Sequence, residues 1–85
     1  MHAVTECRAE ANYTLWLRFN DGLEGHVYLG DIVHTTYFRM LGDIDTFNRV
    51  EVDPVENTVT WEGGIKLDPE VLYRDLASKA QSALH

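Results

Sequence analysis

Between Tyr13 and Leu29 the chain alternates apolar and polar residues on both sides of a single strong turn signal, Asn20-Asp21-Gly22. Tyr13, Leu15, Leu17 and Phe19 alternate with Thr14, Trp16 and Arg18, and after the turn Leu23, Val27 and Leu29 alternate with Glu24, His26 and Tyr28. A period of two on each arm around such a turn predicts a β-hairpin with one buried face. Parity decides its register. A two-residue Asp21-Gly22 loop would set Phe19 opposite Glu24 and mix the faces, whereas a loop of Asn20, Asp21 and Gly22 sets Phe19 opposite Leu23 and Leu15 opposite Val27. A slip of one residue exchanges the two faces of a strand, so the three-residue loop is expected, with Gly22 in the left-handed conformation that closes such loops. The outer face then pairs Arg18 with Glu24, Trp16 with His26, and Thr14 with Tyr28.

The remaining segments must cover the apolar face of that hairpin. Thr5 to Ala11 reads as an edge strand of mixed polarity. Asp31 to Asn48 is irregular: Thr36 is expected to cap a helical turn over Tyr37 to Leu41 that ends at Gly42, with Phe38, Leu41, Ile44 and Phe47 plugging one end of the sheet. Val50 and Val52 face Val59 and Trp61 in a second hairpin across Pro54, Val55, Glu56 and Asn57, a register that also pairs Arg49 with Glu62. Gly63-Gly64 breaks the strand. A helix follows over about 69–83, with Asp68 as N-cap, Pro69 at its first position and Glu70 in its first turn. Leu67 and Leu72 are spaced as a hydrophobic staple, and Leu72, Leu76, Ala80 and Ala83 form an apolar stripe with Tyr73 and Ala77 beside it. These elements predict one α+β domain over residues 1–85: two antiparallel β-hairpins, over 13–29 and 49–62, forming a small, mostly antiparallel sheet packed against a C-terminal helix and a short helical turn.

Composition narrows the partners. Fourteen acids against seven bases give a net charge of −7, and no two of the bases, Arg8, Arg18, Arg39, Arg49, Lys66, Arg74 and Lys79, are adjacent. Nucleic-acid affinity draws on clustered cations that neutralise phosphates, and anionic membranes repel an acidic surface. No direct nucleic-acid binding and no membrane association are therefore expected. No apolar run approaches the length of a membrane span, and the N-terminus lacks the basic and apolar regions of a signal peptide. A lone cysteine, Cys7, forms no internal disulfide and fits the reducing cytoplasm.

The run Phe19-Asn20-Asp21-Gly22, then Leu29, Phe38, Leu41, Phe47 and Val50, then Trp61-Glu62-Gly63-Gly64-Ile65-Lys66-Leu67-Asp68-Pro69-Glu70-Val71-Leu72-Tyr73 resembles the small bacterial family known as domain of unknown function 2442, from about Val4 to Leu76. Family members often carry Pro or another residue where Glu62 stands. The family has no settled biochemical activity, so the resemblance brings no catalytic residues. It implies kinship with proteins encoded beside a second small protein, in an arrangement like toxin–antitoxin pairs. Some longer relatives carry a helix-turn-helix domain after this module, and a domain of that kind is not expected in a chain that ends at His85.

Chemistry-bearing residues have structural explanations at hand. His2, His26, His34 and His85 lack the close helical spacing of a zinc site, and although His26 and His34 could converge with Asp31, neither a metal nor a cofactor is expected. Cys7 sits in a strand, away from the helix N-termini that activate thiols. Asp21, Asp43, Asp53 and Asp68 fall at turns or caps, where carboxylates bond to local backbone. Gly63-Gly64 precedes a helix whose start is already acidic, which disfavours an anion site. No catalytic residue is expected.

The residues that stand out are Thr14, Trp16, His26 and Tyr28, which share the outer face of the first hairpin. Either another part of the chain covers them, the first strand or the Asp31 to Thr36 loop, or they form an interface, since Trp and Tyr are common anchors. The expected function is a non-enzymatic protein-interaction module, an antitoxin-like or regulatory partner of another small bacterial protein, acting in a homodimer or with a small basic chain. The alternative is an accessory or ligand-sensing domain of a transcription regulator that works with a separate DNA-binding partner.

Overall fold

The computed structural model describes residues 2–83, and the side chains of residues 2–79. It contains two three-stranded antiparallel sheets, in place of the single sheet the hairpins suggested, and a C-terminal helix. The first sheet has the order β1 (Val4–Glu10), β2 (Thr14–Phe19), β3 (Glu24–Tyr28). The second has the order β4 (Glu51–Asp53), β5 (Thr58–Trp61), β6 (Ile65–Lys66). A short helix α1 (Ile44–Phe47) lies between the sheets in sequence, and α2 (Pro69–Ala83) closes the chain.

The β2–β3 register is the one parity requires. Leu15 pairs with Val27, Trp16 with His26 and Arg18 with Glu24, and the Phe19 amide donates to the Leu23 carbonyl at 2.8 Å. Gly22 adopts φ +92° at the end of the loop. The edge strand expected over Thr5 to Ala11 is β1, which pairs along the other side of β2 with an irregularity between Val4 and Glu6. The loop joining β1 to β2 carries two consecutive left-handed residues, Asn12 (φ 60°) and Tyr13 (φ 55°). A bulky residue in that region is unusual. Tyr13 is held there from three sides: its hydroxyl donates to the Gly42 carbonyl, its carbonyl accepts from Leu29, and its ring packs edge-on against Phe47.

The second hairpin also has the expected register, with Val52 opposite Val59 and Arg49 within 3.8 Å of Glu62. Gly63 and Gly64 do not end the sheet. With φ of +85° and +82° they turn it tightly into the two-residue strand β6, which sets Ile65 beside Trp61.

One core serves both sheets. Leu15, Leu17 and Phe19 of β2, Val59 and Trp61 of β5, Ile65 of β6 and Leu72 and Leu76 of α2 are all buried in it. The Trp61 indole N–H donates to the Phe47 carbonyl at 2.9 Å inside this core, tying the second sheet to α1. Asp68 caps α2 through the Glu70 amide at 2.9 Å, and Leu67 and Leu72 both pack on the core. Ala80 and Ala83, the outer half of the expected stripe, lie outside the described side chains. Gly25 faces the helix so closely that a β-carbon there would come within 3.0 Å of Leu76.

The irregular segment departs most from expectation. The helical turn is a 3₁₀ turn over Arg39–Gly42, and Phe38 rather than Thr36 sits at its start, with no side-chain cap. Leu41 and Phe47 are fully buried plugs, and Phe38 is partly buried, but Ile44 is 45 % exposed. Val33, an unexpected third plug, is buried.

Gly22 has open space around its missing β-carbon, so Gly22→Ala isolates backbone strain. The variant should lose about 1 kcal/mol of stability, the scale of left-handed strain at a residue with a β-carbon. Chemical denaturation of the two proteins checks this, and equal stability would contradict the loop geometry.

Candidate functional site

The outer face of the first sheet is built from rows that cross all three strands. Arg8, Trp16 and His26 form one row, Glu10, Thr14 and Tyr28 the next, and Glu6, Arg18 and Glu24 the third. Polar contacts run along one row and join the other two. Arg18 holds Glu6 at 3.1 Å and Glu24 at 2.7 Å, and Glu10 holds Arg8 at 3.2 Å and His26 at 2.8 Å. The hydrogen bond that Arg18 donates to Glu24 and the nearby charges of Glu24 and Glu6 raise the pKa of the Arg18 guanidinium further above its already high value. All these side chains reach solvent, where a single pair contributes at most about 1 kcal/mol.

The four residues expected at this site therefore do share one face. Trp16 occupies its centre, with the Arg8 guanidinium 4.9 Å from its ring centroid and that of Arg18 5.6 Å away. These cations leave the indole half-buried, as is Thr14, while His26 is exposed. The cover over Trp16 thus comes from two side chains of its own sheet. Tyr28 is 55 % exposed, and its ring lies over Gly30, where a β-carbon would collide with it.

The other chemistry-bearing residues are placed as follows. Cys7 is half-buried in β1, and burial, with Glu51 nearby, pushes its thiol pKa up. A raised pKa keeps the sulfur protonated and weakly nucleophilic. Asp21, Asp53 and Asp68 each accept backbone amides two residues ahead, and Asp43 accepts the Thr46 hydroxyl. His26 bonds Glu10, and His34 is exposed in the segment after β3. Among the described residues no three His, Cys, Asp or Glu side chains are grouped to hold a metal. His85 lies outside the described residues.

Two features were not anticipated from the sequence. The charged residues of β1, Glu6, Arg8 and Glu10, complete the outer face. Their alternate spacing was the available signal, masked by the small residues Cys7 and Ala9 between them. The second feature is a cluster that ties the N-terminus to α2 and to the β2–β3 loop. His2 stacks on Tyr73 with ring centroids 3.4 Å apart and bonds Glu70 at 2.8 Å, and the Tyr73 hydroxyl donates to Asp21. Nothing in sequence spacing connects residues so far apart.

Fold and face together define a small α+β domain of two three-stranded sheets with an elaborated, ion-paired outer surface. The chain belongs to the family described as Protein of unknown function (DUF2442), whose profile matches residues 4–77. No curated protein and no solved structure matches it.

The Tyr73 hydroxyl, then the Leu23 amide, holds the Asp21 carboxyl below its ordinary value of 3.8, and His2 holds Glu70 below 4.5. A carboxyl lowered on folding stabilises the native state above its unfolded pKa, and that contribution disappears as pH falls through the folded value. Stability should therefore decline on acidification below the ordinary carboxylate range. Tyr73→Phe removes the largest cause acting on Asp21 and should make the decline shallower. Denaturation midpoints across acid pH measure both slopes, and equal slopes would contradict the assignment.

Proposed function

We propose that the domain is a non-enzymatic protein-interaction module that works in the cytoplasm, an antitoxin-like or regulatory partner whose outer sheet face binds a small basic protein. One observation carries this reading. Trp16 sits at the centre of a charged face, on the side of β2 turned from the core, half-buried with the guanidinium groups of Arg8 and Arg18 against its ring. Buried aromatic and Arg residues at the middle of a patch, ringed by polar groups, have the anatomy of an interface centre. The ion pairs around it are solvent-exposed and individually weak, so a partner's Lys or Arg side chains can take over Glu6, Glu10 or Glu24 at little cost. The net charge of −7 steers a cationic chain towards this surface and disfavours nucleic acid.

The test is purification of the tagged chain from its native host. The wild type should retain a small basic protein in stoichiometric amount, and Trp16→Ala should lose it while staying folded by circular dichroism. Retention of the partner by Trp16→Ala would contradict the reading, as would sedimentation showing a stable homodimer of the wild type with no second protein.

A further inference from the structure

A strand inside a sheet aims its main-chain groups alternately at its two neighbours. In β2 the Phe19 amide donates to Leu23, and just before the strand the Tyr13 carbonyl accepts from Leu29, so the odd-numbered residues serve β3. The even-numbered ones serve β1, where Thr14, Trp16 and Arg18 pair with Glu10, Arg8 and Glu6. The amide and carbonyl groups of Cys7 and Ala9 are therefore aimed out of the sheet. Among the described residues no other main-chain group bonds to them. The outward groups elsewhere on this sheet are engaged. Val4, at the start of β1, donates to the Asn57 carbonyl at 2.9 Å, and on the far edge the His26 carbonyl accepts from Lys79 Nζ at 3.0 Å. No lysine or proline guards the stretch from Cys7 to Ala9, and the irregularity of β1 lies before it.

Beside this open edge lies a groove of about 530 Å³ whose lining includes Cys7, Ala9, Ala11, Ile44, Asn48 and Val50. Ile44 is 45 % exposed, and Val50, Cys7 and Ala9 are only partly buried against the core. The unpaired donors and acceptors fix the form of an occupant, because a row of alternate main-chain groups is matched by another extended main chain. The groove fixes its side chains. Residues 7, 9 and 11 are small, so the bulk that fills the space beside Ile44 and Val50 has to come from the incoming chain. A second copy of β1 would bring only the same small residues. Resting on the reading of the domain as an interaction module, we propose that the Cys7–Ala9 edge receives an extended segment of the partner protein as an added strand. Large apolar side chains at alternate positions of that segment pack on Ile44 and Val50. The added strand lies next to Glu6, Arg8 and Glu10, so one partner can engage both the edge and the outer face.

The probe is a short peptide of alternating valine and lysine, titrated into the full isotope-labelled chain while amide exchange is read residue by residue. In the free chain the Cys7 and Ala9 amides should exchange freely, while those of Arg8 and Glu10, bonded to β2, are protected. Saturation with the peptide should protect Cys7 and Ala9. Methylating every second peptide nitrogen should abolish binding in one phase and preserve it in the other, since only alternate amides face β1. Ala9→Pro removes one outward donor and leaves the β2 ladder intact, a change that an edge strand tolerates. It should weaken binding roughly tenfold, the loss of one ladder bond. Unchanged exchange at Cys7 and Ala9, equal binding of the two methylated peptides, or equal affinity in a folded Ala9→Pro each overturns the proposal. Protection of Cys7 and Ala9 in the free chain that fades on dilution would seat a second copy at the edge and also overturn it. The wild-type exchange decides the matter without any variant. The two readings fail separately: the outer face fails when Trp16→Ala keeps its host partner, the edge when Cys7 and Ala9 exchange unchanged beside the peptide.

Discussion

The parity of β2 is the constraint from which the rest of the domain follows. Leu15 and Leu17 are completely buried and Phe19 is nearly so, while Thr14, Trp16 and Arg18 point the other way. A strand displaced by one residue would bury an arginine and expose three large apolar groups, a change far larger than the stability of a small domain. Because β2 is the central strand, its parity passes to both neighbours. It sets Glu6, Arg8 and Glu10 of β1 and Glu24, His26 and Tyr28 of β3 on the outer surface, and it clears the inner surface for α2 at Gly25.

A three-stranded sheet with one helix is a thin structure, and the second sheet supplies the rest of the enclosure. Its contribution is anchored at a few places. The buried Trp61 indole finds its one hydrogen-bond partner in the Phe47 carbonyl, and Val4 donates to the Asn57 carbonyl at 2.9 Å. Tyr13, at a strained turn, reaches across to Gly42. Buried polar groups with satisfied geometry specify one arrangement over close competitors. These contacts, more than the irregular segment's own preferences, hold α1 and the 3₁₀ turn in place.

Local chemistry explains what was legible in the sequence. The β2–β3 register follows from alternation plus one glycine, and the start of α2 follows from Asp68 and Pro69. Where several structures satisfy the same local pattern, tertiary contacts decided. Gly63-Gly64 suits a break or a tight turn equally, and the turn wins because it lays Ile65 beside Trp61. Thr36 had capping chemistry, but the chain is still turning where a helix would have to begin, and the short helical turn starts later at Phe38. Ile44 has the apolarity of a plug yet opens α1 on its solvent side. The four residues of the outer face were found by parity alone. The first strand was one of the covers offered for them, but the Arg8 and Arg18 side chains that reach Trp16 were not identified, because cross-strand and charge geometry is not encoded in a linear pattern.

Neighbouring residues of one strand divide the work under the proposed function: Leu17 is buried in the core, and Trp16, on the opposite face, is the proposed anchor for a partner. Denaturation of Leu17→Ala and Trp16→Ala in parallel measures that division directly. Leu17→Ala should lose about 3 kcal/mol or more, as for a fully buried leucine. Trp16→Ala should lose no more than about 1–2 kcal/mol, the scale of its two exposed cation–π contacts. A Trp16→Ala loss as large as that of Leu17→Ala would make Trp16 a structural residue and contradict the account.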